Sequence, residues 1–180
     1  MRRCFAAIVA VLAVTSCRGG RQIPTPTTAS TEAVTTTAAP VPSITATAIP
    51  GLAPAGVHDK LKALGFTTGA PSTGNASFVT ITSKRTDATV TTYGRTPTEV
   101  AKVVAEADKA AADAVLRSVA AAPLKGAEVV KAQAWVLTQV RKGPTDPTSP
   151  RSSKATYGGQ PYDLVVSAST ATLSIGRIAT

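Results

Sequence analysis

Residues 24–50 hold nine Thr, six Ala, five Pro and two Ser, with a single charge (Glu32) and no aromatic side chain. A segment of that composition cannot bury enough apolar surface to offset the entropy of ordering it, so a disordered tether is expected. Thr-rich, Pro-containing stretches also suit O-glycosylated stalks. Packing is left to residues 51–180, enough for a single core. The tether also accounts for a charged fraction of only 16%, below the ~25% of an ordinary globular domain.

Upstream, Met1-Arg2-Arg3 precedes an uncharged apolar run from Phe5 to Val14. That pattern is a basic n-region and an h-region of a secretory signal, too short for the ~20 apolar residues of a membrane span. Both cysteines, Cys4 and Cys17, fall in this segment, so the exported domain is expected to fold without disulfides. Val14-Thr15-Ser16-Cys17 resembles the lipobox of bacterial lipoproteins: an aliphatic residue, two small residues, then Cys. The resemblance implies that the Cys17 thiol is alkylated by diacylglycerol and that the signal is cut between Ser16 and Cys17. Sulfur is the nucleophile that forms the thioether, and two acyl chains anchor stably where one is marginal.

The expected organisation is a signal peptide over 1–16, a lipidated Cys and tether over 17–50, and one α+β domain over 51–180. The domain would sit on the outer face of the cell membrane. A random-coil tether reaches roughly 30 Å, and about 100 Å when drawn out as polyproline II.

Within the domain, Pro54 suits the first turn of a helix; Val57, Leu61 and Leu64 form one stripe, and Gly65 can end it. Ala76 to Ser83 and Ala88 to Tyr93 alternate as a hairpin. Thr96-Pro97-Thr98-Glu99 has the pattern of a capping box, and Val100, Val103, Val104, Ala107, Ala111, Ala114, Val115 and Val119 follow a helical period behind it. Glu128 to Lys142 reads as a further helix, 143–156 as a polar loop, and Tyr162 to Ala168 with Ala171 to Arg177 as a closing hairpin. The expected order is α-ββ-α-α-ββ, with helices packed on one face of a four-stranded antiparallel sheet.

The block from Val119 to Val140 around Ala134-Trp135-Val136, with Thr156-Tyr157-Gly158-Gly159, resembles small secreted lipoproteins of high-GC Gram-positive bacteria. That resemblance implies no particular activity.

Chemistry is sparsely equipped. Metal sites need clustered His, Cys, Asp or Glu, and residues 51–180 contain one His, no Cys and nine scattered acids. There is no Gly-x-Ser-x-Gly, dinucleotide fingerprint or phosphate loop. No catalytic residue, metal or cofactor is assigned, and His58 reads as a solvated helix residue. A non-catalytic binding or interaction domain in the cell envelope is expected; the alternative is a secreted hydrolase or ligand-modifying enzyme. Fifteen Lys and Arg against nine Asp and Glu leave the domain at +6. Few aromatics and export argue against nucleic acid, so the expected partners are the membrane, through diacylglycerol on Cys17, and an anionic envelope polymer or a protein. Trp135, Tyr157, Arg141 and Lys142 are the binding candidates, with Trp135 otherwise a core residue. The oligomeric state is left open.

Overall fold

Pro54 supplies a φ angle already suited to a helix's first turn, and α1 runs Pro54–Lys62 with Val57 and Leu61 buried. The computed structural model describes residues 45–73 and 78–179. The expected signal peptide, the lipobox-like stretch with Ser16 and Cys17, and the expected tether as far as residue 44 lie outside the described residues.

After α1 come the two-residue strands β2 (Thr67–Thr68) and β3 (Ser72–Thr73), then β4 (Val79–Arg85) and β5 (Ala88–Gly94). Thr86 and Asp87 turn between the last two. Arg85 steadies that turn: its Nη2 donates to Asp87 Oδ2 at 3.0 Å and its Nη1 to the Leu64 carbonyl at 2.7 Å. The hydrogen bond from Arg85 holds the Asp87 carboxyl below its ordinary range.

The segment after β5 departs from expectation. Residues 102–108 form strand β6 (Lys102–Asp108), and helix α2 begins only at Lys109, running to Ala121. Two patterns compete here. Val100, Val103, Val104 and Ala107 fit a helix, whereas Val103, Ala105 and Ala107 alternate with Lys102, Val104 and Glu106 as a strand does. Pairing decides. β6 lies between β5 and β9 (Thr170–Gly176), with ladders on both sides. Thr96 to Glu99 is then part of the β5–β6 connection, where Thr96 Oγ1 meets Thr98 Oγ1 at 3.1 Å and Ala101 N–H donates to the Tyr93 carbonyl at 2.7 Å. Thr96 caps no helix. Replacing it with Ala, at an exposed turn, is expected to shift stability by no more than about 0.5 kcal/mol in urea melts; a loss of 1 kcal/mol or more would revive a capping role.

Helix α3 (Ala127–Lys142) carries Ala132, Val136 and Val140 on its buried side and ends at Gly143. Part of the expected loop is strand β7 (Arg151–Tyr157), paired along its length with β8 (Gln160–Val166). Gly158 and Gly159, with φ of 56° and 75°, form the two-residue turn between them. A hairpin turn of that hand needs positive φ at both central positions, which glycine adopts without a Cβ penalty.

The large sheet therefore has eight strands, ordered β2-β4-β5-β6-β9-β8-β7 with β3 also on β4, all antiparallel. The four expected strands correspond to β4, β5, β8 and β9. The other four escaped for physical reasons: β6 also matched a helical period, β7 has a polar pattern, and β2 and β3 are two residues each. Helix α1 packs near β2 and β4, α2 over β5, β6 and β9, and α3 over β7 and β8. Val90, Val103, Ala105, Leu164, Leu173 and Ile175 face this helical layer and are essentially inaccessible. Alternate residues on the same strands stay open to solvent, as one face of an antiparallel sheet commonly does.

The domain boundary also moves. Thr45–Ala46 forms strand β1, paired with β10 (Ile178–Ala179) in a separate two-stranded ribbon. Ile49 is 2% exposed, and its N–H donates to the Val100 carbonyl at 2.7 Å. Packing therefore begins before the expected boundary at Gly51, since Ile49 belongs to the buried core cluster.

Candidate functional site

Residues expected to carry function fall at three places. On α3, Trp135 is half-buried and lies against the sheet beside Tyr157 and Tyr162, with ring centroids 6.1 and 6.5 Å away. Tyr157 and Tyr162 meet edge to face at 5.3 Å. Tyr162 is 1% exposed and donates its hydroxyl proton to the Ala120 carbonyl at 2.9 Å. Burial raises the pKa of both tyrosines. This cluster joins β7 and β8 to the helices, and aromatic pairs of this geometry stabilise by ~0.5–1.5 kcal/mol beyond their buried area. Arg141 and Lys142 are exposed on the last turn of α3, almost two helical turns beyond Trp135. They are not gathered with the aromatic pair.

His58 corrects the expectation of a solvated residue. It is 3% exposed. Its Nδ1 lies 2.7 Å from Ser83 Oγ and its Nε2 3.0 Å from Thr92 Oγ1. Ser83 Oγ also meets Thr68 Oγ1 at 2.7 Å, and Thr92 Oγ1 donates to the Ile81 carbonyl at 3.4 Å. One assignment of protons satisfies the circuit: Thr68 donates to Ser83, Ser83 to Nδ1, Nε2–H to Thr92, and Thr92 to Ile81. It requires a neutral imidazole with its proton on Nε2. Burial is the main reason the His58 pKa lies below 6.5, in keeping with that neutral ring.

A Ser hydroxyl donating to an imidazole has the form of a nucleophile–base pair. Ser83, however, is 0% exposed, and the second ring nitrogen meets a Thr hydroxyl rather than an orienting carboxylate. The arrangement ties α1 to β4 and β5.

The third place is the open sheet face. Register aligns its side chains in rows: Thr82, Thr91, Val104, Ser174, Asp163 and Lys154 run across six strands, with Lys84, Thr89, Glu106, Thr172, Val165 and Ser152 beside them. At one end, near the β1–β10 ribbon, this surface dips into a hollow of about 690 Å³ lined by Lys102, Lys154, Thr156, Asp163, Ser174 and Arg177. A second hollow of about 400 Å³ shares Thr156 and Arg177 and adds Thr45 and Thr47 from the ribbon side.

Gly176 shapes this end. Its φ is 82°, and a Cβ there would collide with the Ala101 carbonyl oxygen, so only glycine makes the bend that carries the chain from β9 to Arg177. Lys102 lies directly across from Gly176, and Lys154 directly across from Asp163. Asp163 accepts a hydrogen bond from Ser152 Oγ at 3.3 Å. The ion pairs found among the described residues involve Lys62, Arg85, Arg117 and Lys131; Lys102, Lys154 and Arg177 are in none of them. Three cations and one carboxylate make the hollow electropositive.

Lys154 and Arg177 stand out in sequence only as cations near turns, and Lys102 is hidden in an apparent helix. Their convergence needs β6, β9, β8 and β7 paired in that order and in register. Among the described residues, no group of three or more His, Cys, Asp or Glu is placed to hold a metal ion, and no helix is long and apolar enough to cross a membrane. No protein-family model, curated protein or solved structure matches the chain.

Proposed function

We propose that the chain is a lipid-anchored, extracytoplasmic lipoprotein whose α+β domain acts as a non-catalytic binding module in the cell envelope. The anchor rests on Val14-Thr15-Ser16-Cys17 behind a charged start and an apolar run. The binding role rests on one observation: the open sheet face is lined by Thr, Ser and charged side chains and dips at one end into an electropositive hollow. An exposed polar sheet presents many hydrogen-bonding groups at fixed spacing, which suits a partner bound by surface rather than a substrate enclosed in a cleft. The Ser83–His58 pair, which has the form of hydrolytic chemistry, is buried on the opposite side of the sheet.

Cys17 is the proposed attachment point for the diacylglycerol. Cys17→Ala is therefore expected to abolish acylation and shift the protein from the membrane to the soluble fraction, or leave it as the unprocessed precursor. Intact mass of the fractionated protein reads both outcomes. Retention at the membrane with an unchanged mature mass would exclude Cys17 as the anchor.

A further inference from the structure

We infer that the hollow lined by Lys102, Lys154 and Arg177 binds a phosphate-bearing polyol or sugar chain, with its phosphate among the three cations and a neighbouring hydroxyl donating to Asp163. This rests on the binding-module reading and names its ligand class.

The cations belong to three separate strands or strand ends. Lys102 is on β6, Lys154 on β7, and Arg177 follows the bend at Gly176. All three line the hollow, contributed by β6, by β7 and by the end of β9. Donors arriving from several directions suit a tetrahedral phosphate, whereas a planar carboxylate is best served by one in-plane guanidinium fork. Lys102, Lys154 and Arg177 make no ion pair with the carboxylates of the described residues, so an anion would not have to displace an internal partner.

Asp163 narrows the class further. A densely charged polyanion would be repelled by a carboxylate set directly across from Lys154. Ionised Asp only accepts hydrogen bonds, with room for about four, and Ser152 supplies one of them. A chain that alternates phosphates with hydroxyls satisfies both charges, and Thr156 and Ser174 in the lining extend the polar contacts to its hydroxyls.

The shape favours a chain over a membrane surface. A bilayer headgroup plane is met by charges that project outward beside apolar side chains that insert. Here the cations line a depression, and the exposed large apolar residues among those described, Val130 and Val165, do not line it.

The test is calorimetric titration of the full chain, purified in neutral detergent, with a defined glycerol phosphate oligomer at low and near-physiological salt. The triple variant Lys102→Gln, Lys154→Gln, Arg177→Gln is expected to weaken binding at least tenfold, since it removes every charge-assisted donor to the phosphate from the lining. A variant with the same loss of charge elsewhere, Lys60→Gln, Lys62→Gln, Lys109→Gln, is expected to change it less than about twofold, its charges lying on α1 and α2 and outside the lining of the hollow. Thermal melts confirm that both variants fold. Absence of binding, equal losses in the two variants, stronger binding of an oligogalacturonate, or cation-dependent capture by phosphatidylglycerol vesicles in preference to the oligomer would each overturn the assignment. Acylation of Cys17 plays no part in this titration, so its failure and failure of the anchor are read separately.

Discussion

His58→Ala is expected to lower the unfolding free energy by about 3 kcal/mol, a large fraction of the stability of a small domain. The imidazole fills a site that is 3% exposed and satisfies two hydroxyls at once. Alanine would leave a cavity, deprive the Ser83 proton of its acceptor and leave Thr92 Oγ1 without its donor. Each buried group left unsatisfied costs ~1–3 kcal/mol, and Thr68 and Ile81 offer partial relief through their remaining contacts. The same substitution tests the protonation state. Burial lowers the folded-state pKa of His58 below 6.5, so the unfolded chain takes up the proton first. The stability from the neutral ring is complete above the unfolded value and is lost as pH falls below about 6.5. The chain has one histidine, so the fall in stability between pH 7 and pH 5 should be steeper in the parent than in His58→Ala. Urea melts at both pH values decide it. A silent substitution would mean that the ring is solvated.

Ile49→Ala is expected to cost about 3 kcal/mol, within the range for truncating a buried Ile. The side chain is 2% exposed, its methyl carbon Cδ1 lies at Gly176, and its backbone N–H bonds to Val100. The loss is therefore felt where β9 bends toward Arg177. The exposed neighbour Ala48 provides the contrast: Ala48→Ser should stay within about ±0.5 kcal/mol. Denaturant melts of both variants locate the start of the domain. Equal, negligible effects would return the boundary to Gly51 and make Ile49 part of the tether.

Several elements were legible without the structure. Val57 and Leu61 on α1, and Ala132, Val136 and Val140 on α3, repeat at helical spacing and are buried as that spacing implies. In the β4–β5 and β8–β9 hairpins, β5 and β9 alternate strictly between buried and partly exposed residues. The Gly158-Gly159 pair was a readable hairpin signal as well. The strand before it is nevertheless hard to read, because Arg151 to Tyr157 has almost no apolar alternation: β7 ends the sheet and is paired only with β8.

Sequence alone determined where local periodicity admits one solution: α1, α3, two hairpins and the α+β class. Tertiary structure decided the rest. Lys102 to Asp108 could satisfy two periods, and only two ladders with partners distant in sequence made it a strand. His58 could face water or the sheet, and Ser83 and Thr92, 25 and 34 residues away, turned it inward. Lys102, Lys154 and Arg177 acquire a common site only when β6, β9, β8 and β7 align. Periodicity reports the preferences of neighbours along the chain, whereas a pairing register, a buried hydrogen-bond circuit and a cluster of charges are set by residues that the chain brings together only by closing long loops.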